Sequence, residues 1–164
     1  MNVIIAPIAE SHAESFRACL DTVAREKKFL ALIEAPPPEQ VRGFLQANVA
    51  GDAVQFVALD GDRVVGWADI FTAWQPALAH TGNLGIGVLP EFRGHGIGQA
   101  LLRACLAKAR TKGITRVELE ARVDNHNGIR LYEKAGFVRE GVKRNGMCFD
   151  GNYYDTVLMS YLQE

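Results

Sequence analysis

The residues best suited to chemistry lie in one short run, Arg93-Gly94-His95-Gly96-Ile97-Gly98, inside the segment EFRGHGIG. The run follows an apolar stretch, Leu84 to Val88, that reads as a strand stopped by Pro90, and it precedes a helical pattern opening near Ile97. Gly94, Gly96 and Gly98 carry no Cβ, so backbone N–H groups can approach an anion closely and turn inward. A helix starting there adds roughly half a positive charge at its N-terminus. A phosphate suits this arrangement, with Arg93 and His95 assisting from the side. Other phosphate loops fit poorly. A Walker loop ends in Gly-Lys-Ser/Thr, where this chain has Gly96-Ile97-Gly98-Gln99, and the kinase signature set is missing. A dinucleotide site wants its glycines after the first strand of a βαβ unit, with an acidic residue about 20 positions on. Glu118 and Glu120 stand near that distance, but an antiparallel hairpin precedes the glycines. On the glycines alone, a tight strand-to-helix turn without a ligand stays open.

Cysteine chemistry is not indicated. Cys19, Cys105 and Cys148 are odd in number, far apart, and lack the spacing of a zinc ligand set or a disulfide framework. A reducing compartment is expected, and no metal. Cys105 falls on an apolar helix face, where a free cysteine serves as a small core residue.

Patterns of period 2 and period 3.6 alternate without a repeat of fixed length, which implies one mixed domain over residues 1–164. A strand over Val3 to Pro7 leads to Ser11 and Glu14, a capping-box pair that starts a helix with the stripe Phe16, Cys19, Leu20 and Val23. Pro36 to Pro38 interrupt the chain, and a second helix follows with Val41, Phe44 and Leu45 on one side. VQFVAL and RVVGWADIF flank Asp60-Gly61-Asp62 as a hairpin. After the strand and glycine turn, a helix from Ile97 carries Ala100, Leu101, Ala104 and Cys105 and ends at Gly113. Arg116 to Val123 alternates as a half-buried strand, Asn127 to Lys134 reads as a helix ended by Gly136, and two strands meet at Asp150-Gly151. The order is β, α, α, β, β, β, α, β, α, β, β.

Composition narrows the class. A chain of 164 residues with 48% hydrophobic and 23% charged residues reads as one soluble globular domain. Eighteen basic against nineteen acidic residues leave a formal charge of -1, which argues against electrostatic binding to nucleic acid. The longest apolar runs, such as Val54 to Leu59 with a Gln inside, fall well short of the roughly 20 residues that a membrane span needs. MNVIIAPIAE shows no basic leader and no cleavage site, so no secretory signal is expected and the cytoplasm is the expected location.

Arg93-Gly94-His95-Gly96-Ile97-Gly98 resembles the [QR]-x-x-G-x-[GA] acyl-CoA pyrophosphate motif of the GNAT superfamily of N-acetyltransferases. LGIGV resembles the family's fourth strand. Asn125, Ile129, Leu131, Tyr132, Gly136 and Phe137 are similar to its N-x-x-A-I-x-L-Y-x-x-x-G-F helix motif, with Gly128 where Ala is usual. The resemblance spans residues 84 to 137 in detail and nearly the whole chain in element order. It implies an α/β fold of mixed α+β kind: one GNAT-like domain with a central mixed, mostly antiparallel sheet of about seven strands, flanked by about four helices and splayed between strands 4 and 5.

The same resemblance implies transfer of the acetyl group of acetyl-CoA to a primary amine by direct attack. Its pantetheine arm would pair with backbone groups at Ile86 and Val88, as a β-augmentation. Residues Arg93, Gly94, His95, Gly96, Ile97 and Gly98 would hold the pyrophosphate, and Asn125 would lie near the pantetheine. The Tyr132 hydroxyl would serve the departing thiolate as general acid. A base must take the ammonium proton, and here the chain departs from many relatives, which carry a Glu where it has Asn83. Asn83 can orient a water. The candidate bases are His80 and Asp69, with a water chain as the remaining route. Acceptor pockets in the family are lined by the first helices and nearby loops, which points to Glu26, Phe29, Glu34, Trp67, Trp74 and the loop around Cys148. Glu26 or Glu34 would hold a second ammonium or remain solvated helix charges. The tail EGVKRNGMCFDGNYYDTVLM resembles bacterial members that act on amino acids, amino acid analogues or protein N-termini, and a small-molecule amine is the favoured acceptor. Phe149, Tyr153 and Tyr154 pack a core, close the acceptor site or form a homodimer contact, the last on family analogy alone. A non-catalytic acyl-CoA sensor, and acetylation of a protein N-terminus or lysine, are the alternatives.

Overall fold

The alternating runs of the sequence fold as strands β1 (Val3–Pro7), β2 (Val54–Asp60), β3 (Arg63–Thr72), β4 (Thr81–Val88), β5 (Arg116–Arg122), β6 (Val138–Phe149) and β7 (Asn152–Leu162). The amphipathic runs fold as helices α1 (Ala13–Arg25), α2 (Pro38–Ala50), α3 (Ile97–Thr111) and α4 (His126–Ala135). This computed structural model describes all 164 residues, and the element order is the one expected. The strands form a single sheet ordered β1-β2-β3-β4-β5-β7-β6. Neighbours are antiparallel except β4 and β5, which run parallel. No helix is long and apolar enough to cross a membrane.

Turn chemistry closes the hairpins as expected. Between β6 and β7, Asp150 (φ 51°) and Gly151 (φ 81°) both adopt left-handed backbone, the requirement of a type I′ turn. The start of α1 differs from expectation. Glu10 to His12 form a 3-10 turn, α1 begins at Ala13, and the Ala9 N–H donates to His12 Nδ1 at 3.0 Å. The imidazole thus takes the place expected for Ser11 and Glu14. Nearby, Ser15 Oγ accepts the Val64 N–H at 2.8 Å and ties α1 to β3.

Alternation along β3 decides what each face of the sheet meets. Trp67 and Phe71 look toward α1 and α2, where Phe16 meets Trp67 edge-on at 5.8 Å and Phe44 meets Phe71 at 5.6 Å. On the opposite face Gly66 lies against Leu101 of α3. Leu45, Ile70, Leu101, Leu102, Val117 and Met159 are fully buried between these layers.

The parallel ladder is short. β4 and β5 pair only at Thr81 with Arg116, Gly82 with Val117, and Asn83 with Glu118. Beyond Asn83 the two strands separate, while β4 stays paired with β3 and β5 with β7. The Leu89 N–H donates to Val65 O at 2.9 Å, so the antiparallel alternation directs the backbone groups of Gly85 and Gly87 toward β3. Those of Leu84, Ile86 and Val88 face the other way; the Leu84 N–H closes the last bridge to β5 and the Val88 carbonyl accepts Arg93 Nε at 2.9 Å, which leaves the Ile86 groups and the Val88 N–H toward the open gap.

Two glycines of β4 are required by the β3 side chains across from them. A Cβ on Gly87 would lie 2.3 Å from the Trp67 ring, and one on Gly85 would lie 2.8 Å from Asp69 Oδ1. Gly87→Ala is therefore expected to lower stability by about 1–3 kcal/mol through overpacking against Trp67, seen as a lower denaturation midpoint at unchanged slope. An unchanged midpoint would show that the indole has room to shift.

Candidate active site

At the end of the open gap, the glycine turn builds an anion cradle from backbone alone. Gly94 (φ +78°) and Gly96 (φ +80°) adopt left-handed conformations, and a Cβ on either would meet nothing within 4 Å. Glycine is needed there for conformation, and the surface outside it is open. Gly96 caps α3, and the first helical bond runs from Ala100 N–H to Gly96 O. The N–H groups of Ile97, Gly98 and Gln99 are thus left without helical acceptors at the positive end of the helix dipole. A diphosphate fits this donor set. Ile97 is buried and anchors the turn in the core. Gly98 has a different duty, since its Cβ would lie 3.2 Å from Leu131 of α4 and its absence lets the two helices approach.

Arg93 and His95 are engaged with the protein itself. Arg93 Nε donates to Val88 O at 2.9 Å, and its guanidinium forms a fork on the Glu26 carboxylate, with Nη1 to Oε2 at 2.9 Å. The Phe29 ring lies 4.7 Å below it. Arg93 therefore braces the glycine turn against the ends of β4 and α1, and Glu26 is already neutralised. His95 is exposed, with Nδ1 3.2 Å from Phe92 O.

Beyond β5, Asn125 caps α4 by accepting the Gly128 N–H at 3.1 Å. A Cβ on Gly128 would lie 2.5 Å from the Asn125 amide, so the glycine at this motif position lets the cap close. One helical turn on, Tyr132 is buried and packs against Phe137 at 6.0 Å between ring centres. Burial pushes its phenol up to about 12, so it stays protonated throughout the neutral range.

The base candidates separate. Asp69 stands across from Gly85, just past the last β4–β5 pair, on the side facing α1 and α2. Burial pushes its carboxyl up to about 7, against a smaller opposite effect of the Gly85 N–H. Asn83 is exposed at the narrow end of the gap, where it forms the last pair, with Glu118. His80 precedes β4 at the closed end, where its carbonyl accepts the Thr115 and Arg116 N–H groups. At about 3.3 Å per residue, it lies roughly 16 Å along the strand from Gly85. The structure does not bring it to the gap.

The expected acceptor lining divides in the same way. Phe29 is half-buried under Arg93, but Trp67 is a core residue under α1, because that helix covers its strand. Trp74 is 87% exposed, Glu34 pairs with Arg25 at the surface, and Cys148 is exposed. Cys19 and Cys105 are buried, and burial pushes both thiols up, Cys19 to about 12. No group of three or more His, Cys, Asp or Glu side chains is arranged to hold a metal.

Three features escaped the sequence reading. Glu120 on β5 accepts the Thr156 hydroxyl at 2.6 Å, and Arg122 is almost fully buried in a pair with Asp124 at 2.6 Å. Arg122 also donates to Lys27 O and stacks on Tyr154 at 3.5 Å, joining β5, β7 and the segment after α1. The signal was present in the polar phase of the Arg116 to Arg122 alternation, which reads equally well as a solvated face. Gln55, on β2, is the third and is wholly buried.

The raised Asp69 value has a consequence for stability. The folded value, about 7, lies above the ordinary 3.8, so the fold prefers the neutral carboxyl. That contribution is complete below about pH 4, declines as pH rises, and is lost above about pH 7. Asp69→Asn is expected to flatten the fall in Tm over this window in a thermal-melt series; parallel curves for the two proteins would refute a raised Asp69.

Comparison with known proteins bears on the same region. The acetyltransferase (GNAT) family model matches residues 14–137. The L-amino acid N-acetyltransferase of Escherichia coli is 27% identical over 160 residues, covering 95% of this chain and 98% of that one. A GNAT-family acetyltransferase from Streptococcus pneumoniae superposes with a TM-score of 0.92 at 26% identity, over 99% of this chain and 100% of that one. A Salmonella typhimurium acetyltransferase structure holding acetyl-CoA gives a TM-score of 0.91 over 99% of this chain and 94% of the other; at 16% identity, that likeness is one of fold. The open gap, the glycine turn and a family match across most of the chain agree: the protein belongs to the acetyltransferase (GNAT) family.

Proposed function

We propose that this enzyme acetylates the primary amine of a small molecule, an amino acid or a close analogue, using acetyl-CoA as the acyl donor. The observation that carries the reading is the unpaired edge of β4 running directly into the open glycine turn. The whole-length similarity to an L-amino acid N-acetyltransferase supports the acceptor class. The three free cysteines support a reducing, cytoplasmic setting.

In this reading the N–H groups of Ile97 and Gly98, with Gly94 and Gly96 keeping the approach clear, hold the diphosphate. Arg93 keeps the turn in place through Glu26, and His95 flanks it. Ile86 and Val88 bind the pantetheine amides along the β4 edge, near Asn125, whose side chain holds the start of α4. The donor supplies an acetyl thioester. Asp69 removes the proton from the acceptor ammonium, through a water that Asn83 orients, so that nitrogen can attack the acetyl carbon. An N–H on the β4 edge donates to the carbonyl oxygen as negative charge grows there. As the carbon–sulfur bond breaks, Tyr132 donates its O–H to the leaving sulfur. A phenol raised to about 12 is a poor acid toward a thiolate, so this group acts chiefly as a hydrogen-bond donor; the second proton of the attacking nitrogen leaves to water as the amide forms, and water returns one to the thiolate.

The test is thiol release from acetyl-CoA across amino acids, polyamines, aminoglycosides and N-terminal peptides, with thermal-shift controls. Release dependent on amino acids is expected. Turnover confined to peptides would overturn the acceptor class, and stabilisation by acetyl-CoA without turnover on any amine would favour a sensor. Gly96→Val is expected to abolish acetyl-CoA binding measured by calorimetry, because its Cβ would block the diphosphate and strain the turn. Unchanged affinity would remove the diphosphate assignment. Tyr132→Phe is expected to lower kcat by about a hundredfold with acetyl-CoA affinity kept; a wild-type rate would free the tyrosine from its role.

A further inference from the structure

Gln55 on β2 is wholly buried, and its amide is only half satisfied. Asn48 Nδ2, on α2, donates to Gln55 Oε1 at 2.8 Å, while Gln55 Nε2 has no partner. A buried amide hydrogen without an acceptor is costly, so an acceptor projecting from the same face is informative. Directly across the β2–β3 ladder stands Asp69. Opposed residues of an antiparallel pair project from the same face with Cβ atoms about 4.5–5.5 Å apart. The Asn48 bond places that face on the α2 side, with Phe71, two residues along β3, packed on Phe44 of the same helix. Asp69 in turn opposes Gly85 of the open-edged strand. Asn48, Gln55, Asp69 and Gly85 thus form one row from α2 across the sheet to the gap.

We propose that Gln55 is a positioning residue for Asp69, its Nε2 reaching the ionised Asp69 carboxylate across one water or once the carboxylate turns toward it, while Asn48 fixes the amide so that nitrogen is presented. The proposal rests on the reading of Asp69 as the base. Chemistry favours the assignment. A base sunk in a sheet needs a donor that stabilises its charged form enough for it to ionise near neutrality, yet a cation there would make it too weak to accept a proton. A neutral amide meets both demands. The influences on Asp69 are burial and the Gly85 N–H; its flanking face carries Trp67 and Phe71, and Gln55 and Asn48 are neutral. The titratable group coupled to it is the Cys105 thiol of α3, through the sheet. The proton accepted from the ammonium resides on an Asp69 oxygen and then returns to water, restoring the carboxylate.

The test follows the Asp69 carboxyl by carbon-13 NMR titration and the pH profile of kcat/KM, in the wild type, Gln55→Leu, Asn48→Ala and Asp69→Asn. Gln55→Leu is expected to raise the Asp69 midpoint and the acid limb together by about one pH unit, about a tenfold loss of rate below the limb with the high-pH plateau kept. Asn48→Ala is expected to move both in the same direction by less, and it carries the test if Gln55→Leu does not fold. A midpoint unmoved in the folded variants overturns the proposal. A midpoint that moves while Asp69→Asn keeps the wild-type profile upholds the pair and removes only the base assignment.

Discussion

Everything at the site depends on a ladder that stops. Three residue pairs join β4 to β5, and then the strands part. Unpaired backbone groups at an inner sheet position demand partners, as a sheet edge does. Here they line a gap in the middle of the molecule, flanked by strands that are themselves firmly paired. The gap leads into the glycine turn that caps α3, and in the proposed reading it takes an extended, amide-bearing chain.

The surrounding contacts keep that gap open. Arg93 and Glu26 tie the turn to the end of α1, and Arg122 ties the far wall to the segment after α1 and to β7. Exposed ion pairs contribute little to stability in general, but a bidentate fork stacked on an aromatic ring restricts geometry as well. Gly98 and Leu131 set the approach of α3 to α4, and so the position of Tyr132 on the latter. The Asp69 carboxyl lies beside Gly85, where any side chain would collide. Positioning by packing is what the proposed, weakly driven proton transfers at Asp69 and Tyr132 would require.

Much of this was legible in the residues because local rules and global packing agree. Alternation, turn glycines and helical stripes placed all seven strands and four helices, and the glycine turn with the Asn125 to Phe137 pattern pointed to the family. What stayed hidden depends on partners distant in sequence. Nothing in the local pattern of Arg93 shows that Glu26 occupies it, 67 residues away. Trp67 looked like a lining residue because an aromatic in a strand does not reveal which helix covers it. His80 has a suitable chemistry, yet strand length carries it to the closed end, whereas Asp69 shares a register with Gly85 that only the ladder defines. Ser11 and Glu14 spelled a capping box, but the chain turned one residue later on His12.

The most direct test of the account is amide hydrogen exchange, residue by residue, with and without acetyl-CoA. The account predicts new protection at Ile86 and Val88 on the β4 edge and at Ile97 and Gly98 in the first turn of α3, with Gly85 and Gly87 unchanged because they already bond to β3. Protection spread evenly over the sheet, or absent from both the edge and the turn while acetyl-CoA is bound, would contradict it.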